Sequence, residues 1–184
     1  MRDLSLHLLD LAQNSVTAGA SLVRIEIRVD GAGWLTMILE DDGKGMSPEF
    51  LATVKSPFTT SRTTRKVGLG IPMMLENAEK AGGTMDIESE QGKGTRMTVT
   101  MDTKNIDCLP LGDLSGTILS LVLAYPEKPD FVFHGESVKG ACDFDTREIR
   151  AALGPDVPLN EPEVAAWMQA ALNEEIEPIF GGGT

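Results

Sequence analysis

The sequence predicts an α+β protein: a two-layer α/β sandwich, with helices on one face of a mixed, largely antiparallel sheet, followed by a small C-terminal α/β extension. The main observation is the order of apolar patterns along residues 3–101, which runs helix, strand, strand, helix, loop, helix, strand, strand. A length of 184 residues suits one core with an appended subdomain. Hydrophobic residues at 41% and charged residues at 24% are typical of a globular chain.

The first helix is expected over residues 3–18, ended by Gly19. Polar side chains recur along one of its faces at steps of four and three residues: Asp3, His7, Asp10, Asn14 and Thr17. Leucines border this polar face, so it either is solvated or lines a pocket that holds a polar group. We expect His7 to be exposed or paired with an aspartate.

Two alternating, β-branched segments predict neighbouring antiparallel strands at residues 22–29 and 34–41. Ser47 and Pro48 then provide an N-cap and a first position for a short helix. The remaining elements of the sandwich are, in order, this short helix at 49–54, a mobile loop at 56–67, a helix at 69–81, and two strands flanking the turn at 91–94.

The C-terminal extension is expected over residues 105–184, after a sandwich domain at residues 1–104. Its predicted elements are an apolar helix at 111–125, a hairpin at 130–145, a helix at 146–153, and a helix at 161–175 capped by Asn160. The pattern of this extension indicates an organised structure but no recognisable chemistry.

Charge and cysteine content exclude several classes of function. A net charge of -12 makes nucleic acid and anionic membrane surfaces poor partners. Cys108 and Cys142 match neither a disulfide framework nor a zinc pattern, and free thiols indicate a reducing, cytoplasmic location. Polar residues interrupt the N-terminal apolar stretch, which argues against a signal peptide, and the longest apolar run, residues 118–125, is too short to span a bilayer.

Three glycine-rich segments stand at positions where a ligand could approach the backbone. "DDGKGM" places Asp41 at a strand end beside glycines, and "GLGIPMM" opens a helix whose free amides favour phosphate. "GKGT" lies in the last hairpin of the sandwich. Taken singly, each cluster is more typical of a turn than of a phosphate site.

Together these segments resemble the motif boxes of the GHKL superfamily, which includes gyrase, heat-shock chaperones of the ninety-kilodalton class, histidine kinases and MutL. The matching segments, in the order of the N, G1, F, G2 and G3 boxes, are "LLDLAQNSVTAGA", Asp41-x-Gly43-x-Gly45, "PFTT", Gly68-Leu69-Gly70 and Gly92-Lys93-Gly94-Thr95. One box is a weak signal, whereas five in the right order are specific. The resemblance implies the Bergerat ATP-binding fold, closest in motifs to the catalytic domain of histidine kinases, although "QNSVTAGA" resembles MutL more.

The resemblance also implies roles for individual residues. Asn14 would offer its carboxamide oxygen to Mg²⁺, which prefers oxygen ligands. Asp41 would accept a hydrogen bond from the adenine amine, Gly43 and Gly45 would allow close approach to the base, and Met46 would form an apolar wall.

The phosphates and a water-mediated adenine contact complete the implied site. Backbone amides would face the phosphates, helped by Arg65 or Lys66, and Thr95 would reach adenine through water. The residues with these amides are Gly68, Leu69, Gly70 and Ile71.

Asp10 is the candidate general base. Hydrolytic members of the superfamily place a glutamate four residues before the magnesium asparagine, and kinases usually place an asparagine there. An aspartate is one methylene shorter than a glutamate, so we expect slow hydrolysis.

The leading expectation is a cytoplasmic Mg-ATP-binding protein of signal transduction that transfers phosphoryl groups or slowly hydrolyses ATP with a protein partner. The alternatives are a nucleotide-gated regulatory module, as in anti-sigma factors, and a degenerate fold that binds only protein. We expect no dimerisation or phosphoacceptor helix before the N box, and hence no complete sensor kinase. The hairpin at 130–145 is hypothesised to replace the strands that normally precede the first helix.

Overall fold

The computed structural model describes residues 2–55 and 70–181, which form six helices and six strands. In chain order they are α1 (Leu4–Thr17), β1 (Leu22–Val29), β2 (Trp34–Asp41), α2 (Pro48–Lys55), α3 (Gly70–Lys80), β3 (Thr84–Glu90), β4 (Gly94–Asp102), α4 (Leu114–Ala124), β5 (Asp130–Ser137), β6 (Gly140–Asp145), α5 (Thr146–Leu153) and α6 (Pro162–Phe180).

The six strands form one mixed sheet in the order β3-β4-β2-β1-β5-β6. Every neighbouring pair is antiparallel except β1 and β5, which are parallel. In β2, the buried residues Leu35, Met37 and Leu39 alternate with more exposed ones, so one face of the sheet is covered and the other is open. The predicted fold class, a two-layer α+β sandwich, is confirmed.

The hydrophobic core is continuous across the sheet and the helices that cover it. It includes Leu8 and Leu11 of α1, Ile25 of β1, Ile118 of α4 and Phe133 of β5, each almost completely buried. Burial of a side chain of this size contributes about 1.5–3 kcal/mol. The core therefore holds α1, which carries the predicted metal ligand Asn14, against the sheet.

The C-terminal hairpin extends the main sheet. Its strand β5 lies beside β1, with Phe131 opposite Val23 and Phe133 opposite Ile25. The hairpin therefore lies in the same sheet as the strands of the sandwich. This position is required by the hypothesis that the hairpin replaces the strands that normally precede the first helix. The expected boundary at residue 104 falls between β4 and α4, and the division into a domain at 1–104 and an extension at 105–184 stays a prediction.

Helix α4 begins three residues later than predicted. Gly112 has a φ of +81°, which prevents a regular helix there, and the Asp113 side chain accepts a hydrogen bond of 2.9 Å from the amide of Gly116. Asp113 is thus the N-cap, and the apolar residues before it belong to the connection.

Helix α6 is longer than predicted, since it continues beyond residue 175 to Phe180 and passes through Pro178. The predicted cap is also wrong: Glu161, not Asn160, occupies the N-cap position, without a side-chain cap bond. The buried residues Ile176 and Ile179 continue the apolar stripe of this helix. Burial of these side chains offsets the hydrogen bond that a proline cannot donate.

Candidate functional site

A cavity of about 610 Å³ lies where the C-terminal part of α1 meets the end of β2, the start of α3 and the turn between β3 and β4. Six of the residues predicted to bind nucleotide or metal line it: Asn14, Asp41, Gly45, Met46, Ile71 and Thr95. Asp10, Gly43 and Gly70 do not line it. Asn14 and Asp41, far apart in sequence, therefore line one space.

Asp41 ends β2 and is 9% exposed. One carboxylate oxygen accepts a 2.6 Å hydrogen bond from Ser15 Oγ, and the other accepts a 2.9 Å bond from the amide of Gly43. Each carboxylate oxygen can accept two hydrogen bonds, so both retain capacity for a donor in the cavity. The two bonds fix the carboxylate as a preoriented acceptor.

Ser15 is a site residue that the sequence reasoning missed. It is 2% exposed and continues the buried stripe Leu4, Leu8 and Leu11 at helical spacing. A hydroxyl within an apolar stripe must find a buried partner, because an unpaired buried hydroxyl is costly. The position of Ser15 in this stripe could therefore have predicted a polar group facing this part of α1.

Asn14 lies in the last turns of α1, half-buried beside the cavity. Its Nδ2 atom is buried and has no hydrogen-bond partner within residues 2–55 and 70–181. An unsatisfied amide donor suits a ligand that accepts a hydrogen bond, and the carboxamide oxygen is the type of atom that Mg²⁺ prefers. No cluster of three or more His, Cys, Asp or Glu side chains that could hold a metal occurs in those ranges.

A hydroxyl network holds the β3–β4 turn beside Asp41. Thr95 pairs with Asp41 across the sheet, and its Oγ1 lies 2.8 Å from Ser89 Oγ. Ser89 Oγ also accepts a 2.9 Å bond from the amide of Met46. Ser89, which the sequence reasoning did not select, thus connects two residues of the cavity wall.

The glycines of "DDGKGM" are required by the protein's own packing. Gly45 has a φ of +67°, and a β-carbon there would overlap the carbonyl of Glu90. A β-carbon at Gly43 would come within 2.9 Å of Ala18. These contacts bring the loop after β2 against α1 and the β3–β4 turn, which closes the cavity; close approach of the base stays a prediction.

Asp10 lies against the first turn of α3 instead of the cavity. A β-carbon at Gly70 would overlap the Asp10 carboxylate, so the carboxylate lies directly beside that glycine. The N-terminus of a helix carries partial positive charge, which stabilises a carboxylate placed there. Asp10 is therefore near the predicted phosphate end without facing the open cavity.

Part of the predicted phosphate-binding segment lies outside the described residues. Arg65, Lys66, Gly68 and Leu69 belong to this part, as does the loop expected at 56–67. Ile71, the next predicted residue within the described range, is 3% exposed and lines the cavity.

The prediction that His7 is exposed or paired with an aspartate was wrong, because this histidine is 1% exposed and its Nδ1 atom has no hydrogen-bond partner in the described residues. Its Nε2 atom lies 3.0 Å from Asn77 Nδ2 of α3. Burial lowers the pKa of His7 below its usual value of 6.5. His7 therefore joins α1 to α3 as a neutral side chain and does not belong to the polar face of Asp10 and Asn14.

A smaller cavity of about 400 Å³ adjoins the site at the end of β2 and extends over the open face of the sheet. Arg96 and Glu40 line it and form a 2.9 Å ion pair with each other. This ion pair neutralises part of the charge in the smaller cavity. In the larger cavity, by contrast, the Nδ2 atom of the lining residue Asn14 has no hydrogen-bond partner within the described residues.

Comparison with known proteins is consistent with this geometry. The family model for histidine kinase-, DNA gyrase B-, and HSP90-like ATPases matches residues 2–105. The chain is 33% identical over 93 residues to the sensor histidine kinase ZraS of Klebsiella oxytoca, a match that covers 50% of this chain and 20% of that protein. It is 31% identical over 110 residues to the non-motile and phage-resistance protein of Caulobacter vibrioides, covering 54% of this chain and 13% of that protein.

Among solved structures, the Aquifex aeolicus MutL ATPase domain complexed with ADP aligns at 16% identity and a TM-score of 0.47, covering 98% of this chain and 69% of that chain. The chain spans only a fifth or less of the two sequence relatives. None of the helices within the described ranges has the length and hydropathy required to cross a membrane.

Proposed function

The chain belongs to the family of histidine kinase-, DNA gyrase B- and HSP90-like ATPases, and on this premise we propose that it binds Mg-ATP in the cavity between Asn14 and Asp41. With a protein partner, it would then carry out phosphoryl transfer or slow ATP hydrolysis in cytoplasmic signal transduction. The observation that carries the proposal is that these two side chains, from α1 and β2, line the same cavity.

Asp41 would select the base. Its carboxylate can only accept hydrogen bonds when ionised, so it suits the exocyclic amine of adenine. Guanine has a carbonyl oxygen at that position, which would place acceptor against acceptor. Ser15 and the Gly43 amide hold the carboxylate in place, so little ordering is needed when the base binds.

Asn14 would hold the metal. Its carboxamide oxygen would be the ligand directed to Mg²⁺, with phosphate oxygens and waters as the remaining ligands. The Nδ2 atom of the same group, unpartnered within the described residues, would be free to donate to a phosphate oxygen. When bound, Mg²⁺ would neutralise part of the phosphate charge.

The start of α3 would receive the phosphates. Gly70 and Ile71 lie in its first turn, where backbone amides have no partner within the helix and the helix dipole favours anions. The remaining phosphate contacts are proposed from the sequence motif alone and involve Gly68, Leu69 and either Arg65 or Lys66.

Asp10 would act as the base only after its carboxylate leaves Gly70, because it does not line the cavity in this arrangement. A base that must first move favours a slow reaction. The same observation supports a second candidate, a nucleotide-gated regulatory module of the anti-sigma-factor kind, in which binding changes the contacts of α3 and turnover is negligible.

Isothermal titration with Mg-ATP and Mg-GTP tests the binding step. We expect ATP to bind and GTP to bind much more weakly, and binding of ATP to require Mg²⁺. Incubation with γ-labelled ATP and proteins that co-purify then separates the two candidates. Label transferred to a protein or released as phosphate supports catalysis, whereas tight binding without either supports the gate.

A further inference from the structure

A groove of about 270 Å³ lies between β6, α5 and α6, at the opposite edge of the sheet from β3. It shares no lining residue with the proposed nucleotide cavity. The proposed ATP chemistry therefore does not use this groove.

The groove opens along an edge of the sheet. In the described part of the chain, β6 is the terminal strand and pairs only with β5. Four consecutive residues of β6, 142–145, line the groove. Because successive side chains of a strand point to opposite faces, a groove that touches all four reaches the strand's edge, while Phe133 and Leu172 line its part on the helix-covered face of the sheet. An open edge presents backbone groups that can pair with another extended chain.

The polar lining of the groove is acidic. Asp143, Asp145, Glu148 and Glu175 line it, and no Lys or Arg of the described ranges does so. Asp143 and Asp145 form ion pairs with His134 and Arg147. Glu148 of α5 and Glu175 of α6 are exposed and have no ion pair within residues 2–55 and 70–181. Two carboxylates without an ion pair in those ranges thus stand on different helical walls of one groove.

An exposed aromatic side chain lines the same groove. Trp167 of α6 is 57% exposed, and its apolar neighbours in the groove include Ile149 and Ala171. The face of a tryptophan ring attracts Lys and Arg cations, and an exposed Trp in an apolar depression is typical of a binding surface.

We propose that this groove docks a basic, extended segment of a protein partner, which adds a seventh strand beside β6. Its Lys or Arg side chains would lie between Glu148 and Glu175 and against Trp167. A second copy of this chain is a poor occupant, because the net charge is -12 and its own edge is acidic. Nucleic acid is excluded by the same charges.

The direct test uses the full chain with Trp34→Phe, which leaves Trp167 as the only tryptophan, and an eight-residue capped peptide of alternating arginine and valine. Titration should change Trp167 fluorescence, with binding that weakens as salt is added. A capped peptide of alternating glutamate and valine should not bind. Absence of binding of the arginine peptide up to about 1 mM, or equal binding of both peptides, would overturn the proposal.

Matched variants locate the contact. Glu175→Gln should weaken peptide binding about three- to fivefold, whereas Glu174→Gln, an exposed neighbour on the same helix outside the groove, should leave it unchanged. Trp167→Ala, followed by the anisotropy of a labelled peptide, should weaken it about tenfold. Equal effects of Glu175→Gln and Glu174→Gln would contradict the location.

Two further measurements separate the remaining alternatives. Two further peptides carry N-methyl groups on every second amide, and their methylated positions are offset by one residue. A strand added at an edge pairs along one side only, so one of these peptides should lose binding and the other should keep it. Equal binding of these two peptides would contradict strand addition. Asp41→Asn should not change peptide binding, so failure of the nucleotide proposal leaves this result intact.

Discussion

Replacing Asp41 by Asn removes the acceptor proposed to recognise adenine. The carboxylate is 9% exposed and already accepts bonds from Ser15 and Gly43. In the variant, the carboxamide oxygen can keep the bond from the Gly43 amide, and the Ser15 hydroxyl can rotate to accept from the new amino group. The fold should therefore survive, whereas one charged acceptor facing the cavity is lost.

The expected loss follows from the value of a hydrogen bond to a charged group, about 1.5–3 kcal/mol, which corresponds to a loss of ATP affinity of about 10- to 150-fold. Isothermal titration with Mg-ATP measures it. Glu40→Gln is the matched control, since Glu40 is the preceding residue of β2, faces the open side of the sheet and pairs with Arg96. Affinity of Asp41→Asn within about twofold of that of Glu40→Gln would refute the assignment.

Four further variants test other residues of the site and of the fold. Ser15→Ala leaves the Asp41 carboxylate with one bond fewer, so Mg-ATP titration should show affinity reduced about threefold to tenfold; unchanged affinity would show that Ser15 only fills space. Asp10→Asn should lower a measured ATPase rate about 100-fold with little change in ATP affinity if Asp10 is the base, and an unchanged rate would remove Asp10 from that role. The pKa of His7 is lowered by burial, so its contribution makes the free energy of unfolding fall as the pH drops below the usual pKa of 6.5, and urea unfolding of His7→Gln should show a flatter pH dependence there. The hydrogen bond to Asp143 raises the pKa of His134, so the stabilisation it provides is present below pH 6.5 and lost as the pH rises through the raised pKa. His134→Gln should thus be most destabilised at low pH, and the same effect at high pH would contradict the pairing.

Local patterns were sufficient to predict most of the sandwich. The alternation in β1 and β2 and the glycines that end α1 and α3 are visible within short windows of sequence. The hairpin was also predicted locally, but its place beside β1 was only a hypothesis. A parallel partner roughly a hundred residues away leaves no mark in a local pattern, because it depends on how the intervening helix α4 packs.

The parts of the site that escaped prediction depend on tertiary contacts. The Ser15 bond to Asp41 joins residues 26 positions apart, and the buried position of His7 depends on Asn77, 70 positions away. Gly45 was selected for an approach of the base, but the structure also shows it against the Glu90 carbonyl. Motif spacing identified which residues meet, whereas the partners that orient them follow only from the packing of α1, α3 and the β3–β4 turn.

The central claim is that one cavity holds both ends of a magnesium nucleotide. A crystal structure of the chain with Mg²⁺ and a non-hydrolysable ATP analogue tests it most directly. The account predicts the adenine amine about 2.7–3.2 Å from the Asp41 carboxylate and Mg²⁺ about 2.1 Å from the Asn14 carboxamide oxygen. A nucleotide bound elsewhere, or bound here with its base away from Asp41 and its phosphates away from Asn14, would contradict it.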